Sequence, residues 1–163
     1  MSSGKKREDT DDAEVRREFT SDNLQAFELL YRRADIADMA SAHLAAIGRA
    51  REIGFGTFIV SATTPFTRDD RAALHGDAGA VIRAKFPDSE ALFAARGWRF
   101  LPAIDRVYDN ARARAALGWQ PKHDFGHVLE SLAAGRDFRS ELARAVGAKG
   151  YHDEVFVEGP YPV

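Results

Sequence analysis

The chain has 163 residues, 45% of them apolar and 29% charged, with a net charge of −2 and no cysteine. That length suits one ordinary domain with a real core. The near-neutral balance gives no field that favours nucleic acid or an anionic membrane, and the lack of cysteine excludes disulfides, thiolate chemistry and cysteine-held metal.

No apolar run approaches the roughly 18–20 residues that a membrane span needs. Residues 1–20 form a charged lead-in. Met1–Glu18 alone carries five Lys/Arg and six Asp/Glu with almost nothing apolar, a solvated, disordered composition without a signal-peptide core. A reducing cytoplasm fits this composition and the absence of cysteine.

The ordered part is expected over 21–150. Ser21 is a candidate cap for a short helix through Leu24, Phe27 and Leu30. Ile36, Met39, Ala40, His43, Leu44 and Ile47 then recur at helical spacing, one stripe of an amphipathic helix. Asp35 is its natural N-cap, Asp38 follows three residues on, and Gly54 and Gly56 lie past its end. Thr57–Ala62, "TFIVSA", is the best strand signal in the chain. Its continuous apolar run suits a strand covered on both faces, as in a parallel sheet.

The turn Thr63-Thr64-Pro65 comes next, and Thr67 with Asp70 resembles a capping box for another helix, which Gly76 and Gly79 interrupt. Helical stretches resume at Ala80–Phe86 and Ser89–Arg96, separated by Pro87 and closed by Gly97. "WRFLPAIDRVYD" predicts an extended connection or short strand. Helices are expected at Ala111–Leu117, Phe125–Ala134 and Phe138–Val146, before an irregular aromatic and proline-rich tail at 151–163. One strong strand among about seven helical segments is a poor self-contained α/β domain, because a strand buried on both faces needs neighbours.

Several chemical readings weaken on inspection. His123 and His127 have a zinc-compatible spacing but no evident third ligand, and His123 precedes the expected cap Asp124. His43, on the apolar stripe, suits a core or rim histidine better than a base. Ser61 has no nucleophile elbow around it, and "GDAGAVIRA" and "GAKGYH" lack the endings of phosphate loops. Two candidate binding features remain. Thr63, Thr64 and Pro65 follow the carboxyl end of the strand, where ligands bind in doubly wound sheets. Arg99 and Arg106 flank "FLPAID", where arginines beside extended backbone can grip an anion.

Two stretches add a family resemblance. "RVYDNARARAALGWQPKHDFGHVLESL" resembles the C-terminal signature of the extended short-chain dehydrogenases/reductases, the NAD-dependent epimerases and dehydratases typified by UDP-glucose 4-epimerase. The matching positions are Asp109, Arg112, Ala113, Leu117, Gly118, Trp119 and Pro121. "LYRRADIADMASAHLAAI" resembles an upstream helix of that family, through Asp35, Asp38, Ala42, His43 and Ala46. "FIVSATTPFT" falls where the family has its sixth sheet strand. The resemblance covers roughly Leu30 to Leu132.

The resemblance implies an α/β fold: the helix-rich, substrate-binding C-terminal part of a Rossmann-type protein without its dinucleotide-binding half. It implies NAD or NADP as cofactor of the whole family, and a small-molecule substrate such as a sugar or nucleotide-sugar. The family's glycine-rich turn and Tyr-x-x-x-Lys pair have no counterpart here. Tyr31, Tyr108 and Tyr151 are followed four residues on by Asp35, Arg112 and Val155, and Tyr161 is too near the end. No catalytic or cofactor-binding residue can be assigned, so the chain alone is expected neither to bind NAD nor to turn over. Arg99 falls where nucleotide-sugar epimerases bind a diphosphate, but "RFLP" replaces the family's Arg-x-Gly-Asp, with Pro102 at the aspartate position. The alternatives are a non-catalytic binding or interaction module, which self-association into a homo-oligomer would suit, and a decayed fragment.

Overall fold

A computed structural model of the chain describes residues 18–147. Seven helices lie wholly within that range: α1 Ser21–Glu28, α2 Ile36–Ile53, α3 Arg71–Lys85, α4 Ser89–Ala94, α5 Ala111–Leu117, α6 Phe125–Ala133 and α7 Glu141–Val146. The expected tail at 151–163 and most of the lead-in at 1–20 fall outside the described residues.

The expected α/β architecture is wrong for this chain: the described residues contain helices and no strand or sheet. The reason lies at Thr57–Ala62. Its burial alternates, with Phe58 and Val60 packed toward α2 while Ile59 is 48% exposed. Across 57–62, the one main-chain amide that meets another main-chain group among the described residues is that of Ala62, which donates to the Arg33 carbonyl. A strand exists only through a ladder to a neighbour, and local β-propensity cannot supply one. "WRFLPAIDRVYD" is likewise no strand.

The helix starts follow their capping chemistry. Thr20, not Ser21, caps α1 by accepting from the Asn23 amide, and Asp35 caps α2 through the Ala37 amide at 2.8 Å. Thr67 and Asp70 do bond, the Asp70 carboxylate accepting from the Thr67 amide and hydroxyl, but they form a turn ahead of α3. The Thr67 amide and the Lys85 ammonium hold the Asp70 carboxyl below its ordinary range.

Helix α3 breaks at Asp77, between the two glycines, as the sequence suggests. At the break, the Leu74 carbonyl and the Ala78 amide would be partners in an unbroken helix. Here Ile104 N–H donates to Leu74 O at 2.9 Å, and Ala78 N–H donates to Pro102 O at 3.1 Å. The 102–104 segment is thereby stitched into the kink, and Asp77 Oδ1 caps the second half through the Ala80 amide.

Two cores result. The larger centres on Phe27, Phe93 and Phe125, packed edge-on or tilted with Tyr31, Phe86, Trp98 and Phe100. The smaller lies between α2 and α5 and holds Ala42, Ala113, Leu117 and Trp119, with Phe58 and Val60 against it. The orientation of α2 differs from what its stripe suggests. Ala42 and Asp38 face inward, while Leu44 and Ile47 are 71% and 72% exposed. Ala42 and Leu44 are two positions apart, about 200° around the helix. The small alanine face lets α5 approach closely, and the large aliphatic stripe turns outward. His43 goes with that stripe: it is exposed rather than in the core or at its rim, its Nδ1 2.7 Å from the Met39 carbonyl.

Candidate functional site

Thr63, Thr64 and Arg106, from two segments some forty residues apart, line one cleft of ≈ 1020 Å³. Its walls are the turn that follows Ala62, the first half of α3, and the connection into α5. A volume near the top of the small-ligand range suits a substrate-sized molecule. Asn110 fixes the geometry. Buried at 2% exposure, it donates from Nδ2 to the Ser61 carbonyl at 2.8 Å and to Thr63 Oγ1 at 3.2 Å. Its Oδ1 accepts from Arg114 Nε at 3.0 Å, so one amide positions both a threonine and an arginine of the cleft.

The lining is rich in cationic groups: Arg68, Arg71 and Arg114 join Arg106, against Asp105 and Asp109. Arginines with threonine hydroxyls form a donor set for an anionic, hydroxylated ligand. His75 also lines the cleft, with Nδ1 2.8 Å from Asp105 Oδ1, but both side chains are more than three-quarters exposed. Such an exposed pair is a weak contact.

The remaining candidates are elsewhere. Pro65 belongs to the same turn without lining the cleft. Arg99 is not brought to it at all. Its guanidinium pairs with Glu18 at 2.9 Å and covers the Phe19 ring, while its main chain is held by both ends of the Asn23 amide. It borders a separate, smaller hollow with Arg83 and Trp98.

The two family-like stretches do meet. Buried Asp38 accepts from the amides of Lys122 and His123 at 3.0 and 2.9 Å, and His123 Nδ1 lies 3.1 Å from the same carboxylate. Trp119 Nε1 donates to Ser41 Oγ at 2.8 Å. Gly118, at φ 62°, is the left-handed stop that turns the chain toward this contact. His127 Nε2 is 3.1 Å from the Phe138 carbonyl, so the histidine pair is engaged with carboxylate and main chain. Among the described residues no group of three or more potential ligands is placed to hold a metal.

The described glycines of positive φ do not form a dinucleotide-binding turn. The described glycines with positive φ, Gly54, Gly97, Gly118, Gly135 and Gly147, all follow the carboxyl ends of helices. A pyrophosphate is held at a helix amino end, and the carboxyl end repels it.

Arg68, Arg71, Arg114 and Asn110 are among the cleft residues that sequence reasoning missed. Arg114 lies on the helix expected at Ala111–Leu117, where its spacing of four from Asn110 is a detectable helical pair. No helix of the described residues is long and apolar enough to cross a membrane. No family model, curated protein or solved structure matches this chain.

Proposed function

We propose that this chain is the substrate-binding part of an NAD(P)-dependent epimerase/dehydratase-type oxidoreductase, inactive by itself, and that the Thr63–Arg106 cleft takes the anionic part of a small-molecule substrate. The ligand class is a sugar or nucleotide-sugar, and neither nucleic acid nor a membrane is a partner. The observation that carries this reading is the convergence of Thr63, Thr64 and four arginines on one cleft. The direct contact between the two family-like stretches, through Asp38 and Ser41, supports the family assignment.

In this reading Asn110 and the arginines bind and orient, and chemistry requires a cofactor and an acid/base pair from outside the described residues. The test is calorimetric titration of the purified chain with UDP-glucose and, separately, with NAD. Saturable UDP-glucose binding that weakens tenfold or more in an Arg71→Ala/Arg114→Ala variant is expected, with no saturable NAD binding. Near-stoichiometric NAD binding, or UDP-glucose binding indifferent to both arginines, contradicts the proposal. A second reading, a non-catalytic interaction module, is favoured by the outward stripe of α2.

A further inference from the structure

Two walls of the cleft come from segments that meet at the break in α3. Arg71 and His75 belong to the first half of that helix, and Asp105 and Arg106 directly follow the 102–104 segment. Asp77, at the break itself, borders the smaller hollow and does not line the cleft. The backbone groups at the break have two competing sets of partners. In an unbroken helix the Ala78 amide donates to the Leu74 carbonyl. In the broken one, Pro102 and Ile104 take these two groups, both on buried residues. An amide with one hydrogen cannot serve Leu74 and Pro102 together.

Asp77 decides between the two sets. Its φ of −153° and ψ of 83° lie outside the helical region, and its Oδ1 accepts from the Ala80 amide at 2.9 Å. That is the bond of a helix N-cap to the third residue on, and it satisfies an amide that the break deprives of a helical acceptor. Gly76 and Gly79 weaken the unbroken alternative, since glycine is the poorest helix former after proline. We infer that Asp77 is a positioning residue for ligand binding: by capping the second half of α3 it keeps the helix broken, and the break holds Arg106 in register with Arg71 and His75. The inference rests on the proposed role of the Thr63–Arg106 cleft. The Asp77 side chain is exposed, so its replacement removes the cap without opening a cavity in either core.

The test compares Gly76→Ala/Asp77→Leu with Asp77→Asn in the full chain. The first variant removes the cap and adds two strong helix formers, and a Cβ at position 76 meets nothing within 4 Å. The second retains an oxygen acceptor at the cap. By calorimetric titration, UDP-glucose affinity should fall about ten-fold in the first variant, the worth of one charge-assisted hydrogen bond. In Asp77→Asn it should stay within about two-fold of the parent, because Asn caps as well as Asp. Amide hydrogen exchange of the ligand-free chain separates positioning from a loss of stability. In Gly76→Ala/Asp77→Leu the Ile104 amide should lose protection, while the Ala78 amide, returned to Leu74, keeps its own. Equal affinity in all three chains overturns the inference. So does joint loss of protection at Ala78 and Ile104, the mark of general destabilisation, or Ile104 protection that persists. A parent that does not bind UDP-glucose contradicts the cleft reading instead, and the exchange pattern then decides by itself whether Asp77 sets the break.

Discussion

The carboxylate of Asp38 and the amide of His123, 85 residues apart, meet at 2.9 Å beneath the surface. With the Lys122 amide on its other oxygen, Asp38 closes the joint between α5 and α6 against α2. Asp38→Ala leaves two part-buried N–H groups without an acceptor and should destabilise the chain by about 2–4 kcal/mol. Asp38→Asn retains one acceptor and should cost less. Urea midpoints for the two variants check this, and an Asp38→Ala midpoint equal to the parent's contradicts it.

Trp119 anchors the same joint from the other side, its ring in the smaller core and its indole N–H on Ser41. Trp119→Phe retains much of the packing and loses the hydrogen bond, so about 1–2 kcal/mol is expected. Trp119→Ala should cost about 3–5 kcal/mol. Equal thermal shifts for the two variants would show that the hydrogen bond, not the ring, holds the joint.

Asp35 gives the fold an acid-sensitive tie. Burial raises its carboxyl, but hydrogen bonds from the Ser140 hydroxyl and amide and from the Ala37 amide outweigh that, leaving it below the ordinary 3.8. A depressed folded-state value means stability that is present above pH 3.8 and lost as pH falls below it through the folded value. Asp35→Asn should therefore be less stable at neutral pH and lose less on acidification. Parallel stability–pH profiles for parent and variant would contradict this origin.

Ser61 is fully buried, and its hydroxyl has no hydrogen-bond partner among the described residues. Removing an unpartnered buried hydroxyl relieves a desolvation cost. Ser61→Ala should be neutral or stabilising by up to about 1 kcal/mol, as melting temperature reports. A loss of more than about 1 kcal/mol would indicate a partner for that hydroxyl.

Local signals were legible in the sequence where local chemistry decides the outcome. Asp35 capped its helix, Gly118 stopped one, and Gly76 and Gly79 bracketed the break at Asp77. The misreadings share one cause, which is that each depended on a partner the local sequence does not name. Thr57–Ala62 has strand propensity and, among the described residues, no neighbour to pair with. The α2 stripe looked like an inward face, but the alanines opposite it allow a closer approach to α5. Arg99 stood beside an extended run, but Asn23 and Glu18 hold it away from the cleft. The cleft was half legible. The Thr63 turn and Arg106 stood out by position, whereas Arg71 and Arg114 become neighbours of that turn only after folding.

The most direct measurement is the map of backbone amide shifts as UDP-glucose is titrated into the isotope-labelled chain. Saturable shifts centred on Thr63, Thr64, Arg71, Arg106 and Asn110 are expected, sharing one dissociation constant and fading in Arg71→Ala/Arg114→Ala. Shifts that do not saturate, or that centre on Arg99 and Trp98 instead, would contradict the account.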